Sequence, residues 1–288
     1  MSENLSYLNP DLIHKIINDA LKEDIGPGDY STLAALDSGT QGRASIIIKD
    51  KGVLAGVEVA KQVFEIVDQQ LEIQILKQDG DLVKPGDTVL VVSGKAQSIL
   101  SSERLVLNIM QRMSGIATKT SKIVLLIEGT GAKLLDTRKT TPNFRAFEKW
   151  AVKIGGGENH RFALYDMIML KDNHIDYAGG IKNAVTKTKA YLRDNHLSLK
   201  IEVETRTLDE VQEALNSAID IILLDNMGLV ELRKAVMLVN KTCTTEASGG
   251  INEDNIREVA ETGVDYISVG ALTHSYKSLD MSLKATLE

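Results

Sequence analysis

The alternation of short apolar runs with amphipathic stretches after Gly131 limits what this chain can fold into more than any other feature. Runs over 133–135, 167–170, 200–203, 219–224, 242–246 and 266–269 read as strands, and stretches such as LDEVQEALNSA and NEDNIREVAETG read as helices. Strands spaced by helices run parallel and are joined by right-handed crossovers, and a TIM-like barrel is the arrangement that buries them. In such a barrel, one rim collects the polar residues that end the strands: Asp136, Arg138 and Lys139, then Lys171, Glu202 and Glu204, Asp225, Ser248-Gly249-Gly250 and Gly270. The C-terminal rim of a barrel is the face that carries chemistry.

The first half has a different texture. Asn9-Pro10 reads as an N-cap and first-turn proline that launch a helix with Leu12, Ile13, Ile16, Ile17 and Leu21 on one face, stopped at Gly26-Pro27-Gly28. Apolar runs punctuated by Gly, Pro and Asp turns follow, as a small sandwich or open barrel requires, with a helix over 58–67 among them. A helical period resumes at Ser101 and sets Leu105, Ile109 and Met113 in one stripe. Two domains are expected, over 1–114 and 115–275, followed by a C-terminal helix over 276–288.

The formal net charge is -7, yet Arg138, Lys139, Arg145, Lys149, Lys153, Arg161 and Lys171 fall between Asp136 and Asp176 with His160 and His174. Such a local inversion suits a small anionic ligand. Arg145, Lys149 and Lys153, spaced four apart, are expected to coat an exposed helix face. Gly155-Gly156-Gly157 allows a close backbone approach. Two readings stand for Glu202 and Asp225: they hold a divalent cation such as magnesium, or they pair with rim lysines. Ser248-Gly249-Gly250, followed by a helix from near Asn252, reads as a phosphate cradle. Arg104, beside Glu103, reads on sequence alone as a surface ion pair.

Other function classes are excluded or disfavoured. The acidic balance argues against a nucleic-acid surface. No apolar stretch approaches membrane-spanning length and the N-terminus lacks a signal-peptide pattern, so a cytoplasmic protein is expected. Cys243 is the only cysteine, which rules out an intrachain disulfide and a cysteine zinc site and leaves a packed thiol. No serine or cysteine has a base and an orienting acid nearby. A Schiff-base aldolase using Lys139 or Lys171 would suit the same fold, as would a silent scaffold.

Long motifs in a fixed order carry a resemblance. ERLVLNIMQRMSGIAT, DTRKTTP, KIGGGENHR, LKDNHI, IEVET, LLDNM and EASGGI together resemble the quinolinate phosphoribosyltransferase family, and the likeness runs from Glu23 to Ser275. It implies an N-terminal α/β sandwich, a C-terminal open α/β barrel of the type II phosphoribosyltransferase kind, and a homodimer with shared sites. It also implies transfer of phosphoribosyl from 5-phosphoribosyl 1-pyrophosphate to quinolinate with decarboxylation, requiring Mg2+. By resemblance, Arg104 is donated to the neighbouring subunit's site, where Arg138, His160, Arg161 and Lys171 surround the quinolinate carboxylates. Thr137 opens the binding run and Lys139 lies between the substrates. Glu202 and Asp225 face the ribose and the magnesium-pyrophosphate, with Lys139 and Lys171 beside them as catalytic groups. Ser248, Gly249, Gly250, Gly270 and Ala271 cradle the 5-phosphate. Asn143-Phe144 departs from the family's common glycine-leucine pair, and Ala163 stands where glycine is frequent.

Overall fold

The computed structural model describes residues 8–286. The chain opens with α1 (Pro10–Ile25), whose N-cap Asn9 accepts a 2.7 Å hydrogen bond from the Leu12 amide and which buries Ile13, Ile17 and Leu21. Next come α2 (Tyr30–Ala35), β1 (Gln41–Ile48), β2 (Gly52–Val53), α3 (Val57–Val67), β3 (Glu72–Ile75), β4 (Leu82–Val83) and β5 (Thr88–Lys95). The long helix α4 (Ala96–Leu126) follows, then β6 (Lys133–Leu135), α5 (Arg145–Ile154), β7 (Ile168–Leu170), α6 (Asp172–Ala178) and α7 (Ile181–Asp194). The remaining elements are β8 (Ile201–Thr205), α8 (Leu208–Asn216), β9 (Ile221–Asp225), α9 (Leu229–Val239), β10 (Thr244–Ser248), α10 (Ile256–Ala260), β11 (Tyr266–Ser268), α11 (Ala271–His274) and β12 (Met281–Thr286). No helix among the described residues is long and apolar enough to cross a membrane.

Two compact units divide the chain. One holds the residues up to 121, 140–156 and those from 272 on, and the other holds 122–139 and 157–271. These units follow no single cut in the chain. The first unit contains an antiparallel sheet of order β12-β1-β5-β3, a β2-β4 ladder and the helices α1 and α3. Alternation in β1 buries Ala44, Ile46 and Ile48, and their partners across the ladder include Met281, Leu283 and Leu90.

The terminal segment expected as a helix is thus a strand. MSLKA alternates with period two, Met281 and Leu283 are buried, and the free edge of β1 offers a ladder of six pairs. A ladder on a buried sheet face overrides the helical spacing of Leu279 and Leu283. The basic helix α5 is likewise not a solvated face: Ala146, Phe147, Glu148, Lys149, Ala151 and Val152 are all buried. Glu148 accepts hydrogen bonds from Arg112 Nε at 2.8 Å and from the Thr141 amide at 3.0 Å. The approach that Gly155 permits is to α4, since a Cβ there would meet the Ala117 carbonyl at 2.5 Å. Asn143, in the family's glycine position, has φ 63°, a conformation that asparagine tolerates better than most residues.

The second unit is a six-stranded parallel sheet of order β6-β11-β10-β9-β8-β7. β6 and β7, consecutive in sequence, form its two edges, so the barrel is open between them. The strands begin one or two residues later than several apolar runs suggest, which leaves Cys243 outside β10, half-buried. Paired residues in parallel strands point to the same face. One face carries Val203, Ile222, Leu224, Ala247 and Ile267, all buried. The other carries Glu202, Glu204, Asp225, Glu246 and Ser248, so the carboxylates of these strands share one surface.

Candidate active site

The polar face is built up from the end of β6. Glu158 forms a parallel bridge with Leu135, its amide donating to the Leu134 carbonyl at 2.7 Å, and this short annex at the open edge delivers Asn159 and His160. Asp136, fully buried, accepts from Asn159 Nδ2 at 2.6 Å and from the His160 amide at 2.9 Å. The backbone of the Asn-His-Arg run is thereby tied to the strand that carries Thr137, Arg138 and Lys139.

His160 then reaches two buried carboxylates. Its Nε2 lies 3.0 Å from Glu202 Oε2 and 3.4 Å from Glu246 Oε2. Burial works against a charge on the ring, but the hydrogen bonds to Glu202 and Glu246 outweigh it and push the pKa up to about 10. His160 is an imidazolium at neutral pH. Burial, and the Glu246 charge next to it, raise the Glu202 pKa, with His160 opposing. These three side chains could also ligate a metal.

Two guanidiniums complete this end of the site. Burial and the neighbouring Arg138 charge lower the Arg161 pKa, and Glu202 partly offsets them. Arg161 Nη1 also donates to the Met167 carbonyl at 3.2 Å. Two like charges held together in a half-buried setting repel unless an anion lies between them.

A second cluster gathers at the ends of β8 and β9. Burial and the adjacent Asp225 charge raise the Glu204 pKa, while Lys171 counteracts them. Lys171 is exposed at the N-cap of α6, where its amide donates to His174 Nδ1 at 3.0 Å. Asp225 ends β9 and accepts from Asn226 Nδ2 at 2.8 Å. The dominant charges acting on Glu202 are Glu246, His160 and Arg161, and Asp225 acts on Glu204.

The remaining expected residues fall as follows. Thr137 accepts from the Lys139 amide at 3.0 Å, which tightens the turn, and Lys139 is exposed. Ser248 ends β10, and Gly249 and Gly250 follow with φ of 93° and 62°. A Cβ on Gly249 would lie 2.3 Å from Asn226 Oδ1, so only glycine suits that turn. The helix expected from Asn252 starts at Ile256 after a turn in which Asn255 Nδ2 donates to the Gly250 carbonyl at 3.1 Å. Gly270 and Ala271 lead from β11 into α11. Arg104 belongs to the first unit, exposed on α4 between the buried Ser102 and Val106. Asp136 and Glu246 were given no role from sequence. Glu246 stands two residues before Ser248 on the same strand face, and that spacing could have flagged it.

The comparisons with known proteins concern the family and the fold. The profile described as "Quinolinate phosphoribosyl transferase, N-terminal domain" matches residues 29–114, and that of the C-terminal domain matches 116–284. The chain is 46% identical over 289 residues to the chloroplastic nicotinate-nucleotide pyrophosphorylase [carboxylating] of Oryza sativa, covering 95% of this chain and 77% of the relative. It is 42% identical to a probable nicotinate-nucleotide pyrophosphorylase [carboxylating] of Bacillus subtilis, covering 96% and 94%. The crystal structure of NadC from Streptococcus pyogenes superposes with a TM-score of 0.92 at 42% identity, covering 98% of this chain and 99% of that one.

Proposed function

The chain belongs to the quinolinate phosphoribosyltransferase family, and from that premise we propose how its polar barrel face handles two anionic substrates. It is a pentosyltransferase that moves phosphoribosyl from 5-phosphoribosyl 1-pyrophosphate to quinolinate, giving nicotinate mononucleotide, pyrophosphate and carbon dioxide in NAD biosynthesis. The observation that carries the substrate reading is the gathering of Arg138, Arg161 and a charged His160 on one polar face. A pyridine dicarboxylate is the ligand whose charge such a set would neutralise.

In this reading Arg138, His160, Arg161 and Lys171 hold the quinolinate carboxylates, Thr137 shapes the turn, and Lys139 stands between the substrates. Ser248, Gly249, Gly250, Gly270 and Ala271 receive the 5-phosphate, which the positive φ at Gly249 supports. Asp225, with Glu204 beside it, would hold Mg2+, because a cation relieves the repulsion from Asp225 that adds to burial in raising the Glu204 pKa. When bound, the ion supplies charge neutralisation to the departing pyrophosphate. Glu202 would face the ribose and the magnesium-pyrophosphate with Asp225, its Oε2 lying 3.0 Å from His160 Nε2 and its Oε1 without a hydrogen-bond partner among the described residues.

Catalysis is then mostly positioning and electrostatics. The pyridine nitrogen attacks the anomeric carbon as its bond to pyrophosphate breaks, with Lys139 and Lys171 offsetting the developing charge. The positive charge of the quaternary nitrogen next stabilises the electron pair left on the adjacent ring carbon when its carboxylate departs as carbon dioxide, and a proton from solvent then bonds to that carbon. A tight ion pair to that leaving carboxylate would oppose its loss, so the arginine pair is assigned to the retained one. We further propose a cytoplasmic homodimer in which Arg104 enters the neighbour's site, supported by its exposure on α4. Quinolinate labelled at its 2-carboxylate tests the scheme: labelled carbon dioxide should appear only with phosphoribosyl pyrophosphate and Mg2+ both present. Pyrophosphate formed with another base, and no label released, would overturn the substrate assignment.

A further inference from the structure

Glu246 is a residue that neither packing nor the reaction yet accounts for. It sits mid-strand in β10, 2% exposed, with Leu223 of β9 and Tyr266 of β11 as its ladder neighbours. Burying a carboxylate costs several kcal/mol of hydration unless good partners replace the water, and an apolar residue would fill such a place more stably. Its partners are incomplete. Oε2 faces His160 Nε2 at 3.4 Å, but Oε1 has no hydrogen-bond partner among the described residues, and Glu202 Oε1 is in the same position. Two carboxylates repelling each other in the interior do not contribute net stability by themselves.

What the pair does supply is direction. From β8 and from β10, two strands apart with β9 between them, each carboxylate presents one oxygen to the same ring nitrogen. The backbone of His160 is held independently by Asp136 at 2.9 Å. A ring fixed at its main-chain root and at Nε2 cannot swing. We infer that Glu246 is a positioning residue, which together with Glu202 accepts from His160 Nε2 and so fixes the imidazole against a quinolinate carboxylate. The inference rests on reading His160 as a quinolinate contact, and Glu246 itself touches no substrate.

The Glu246→Gln variant keeps the shape and removes the charged acceptor. Its quinolinate KM should rise about tenfold, the worth of one charge-assisted hydrogen bond, with kcat and the phosphoribosyl pyrophosphate KM changed less than about twofold. Its Tm should not fall, because a like charge beside Glu202 is gone. Glu246→Asp, which keeps the charge but withdraws it from the ring, should share the quinolinate defect. The 15N resonance of His160 Nε2 should move in both variants. His160→Ala runs alongside. If it raises the quinolinate KM while Glu246→Gln does not, the positioning role is overturned. If His160→Ala leaves that KM unchanged, the underlying reading of His160 fails instead. A Glu246→Gln protein with a lowered Tm and both KM values raised together would mark Glu246 as merely structural, which also overturns the inference.

Discussion

His160 carries its charge because two carboxylates outweigh the burial of its ring, and that balance has a pH signature. A histidine pKa raised from 6.5 to about 10 contributes stability that is fully present below 6.5 and is lost as pH rises through the folded value. The quinolinate KM should accordingly stay level between about pH 6 and 9, measured with phosphoribosyl pyrophosphate saturating. A rise centred near 6.5 would mean that the ring titrates as a free histidine. Gly249 makes the second test at this scale. With φ 93° and a Cβ position 2.3 Å from Asn226 Oδ1, Gly249→Ala must displace the turn after β10. Expected is a rise of at least about tenfold in the phosphoribosyl pyrophosphate KM, with quinolinate binding to the free enzyme retained, as titration calorimetry would read.

At the scale of elements, capping and pairing decide where segments begin and what they become. Asp79 closes the start of α3, its Oδ1 accepting the Val57 amide at 2.8 Å, yet burial outweighs the amide bonds and pushes its pKa up to about 6. A carboxylate raised in the folded state binds its proton there over the range where the unfolded chain has lost it. Stability from this group is therefore greatest below about pH 4 and falls, by roughly 3 kcal/mol at most, as pH rises to about 6. Asp79→Asn keeps an acceptor without the charge, so urea midpoints of the variant should lack that decline. β12 gives a cleaner test. Leu283, 8% exposed and opposite Ile46, should cost about 2–4 kcal/mol as Leu283→Ala, whereas the exposed Lys284→Ala should stay within about 0.5 kcal/mol. Equal effects would contradict the strand.

For the molecule as a whole, the proposal that Arg104 serves a neighbouring site can be tested by complementation. Arg104→Ala and Arg161→Ala, each inactive alone, should form mixed dimers with one intact site when refolded together. Equimolar mixing should then restore about a quarter of the native activity, because half the dimers are mixed and each has one of two sites. No recovery would place Arg104 in its own subunit's site, and an Arg104→Ala protein active by itself would place it outside catalysis.

The sequence by itself determined the alternation that makes the parallel barrel, the strand ends that carry Arg138, Lys171, Asp225 and Ser248, and the family. Those are local properties: hydrophobic period, turn chemistry and ordered motifs are written residue by residue. It did not determine that Lys149 and Glu148 would be buried, since charges four apart on a helix look the same whether the face meets water or protein. Nor did it determine that the last segment would be a strand, because the edge that pairs with it begins at Gln41, more than two hundred residues earlier. Only the tertiary structure joined Glu202 to His160 and Glu246 and set Asp225 beside Glu204. Which carboxylate shares which charge depends on how three strands and a loop meet across the barrel, and electrostatic partners are set by distance in space, with no counterpart in spacing along the chain.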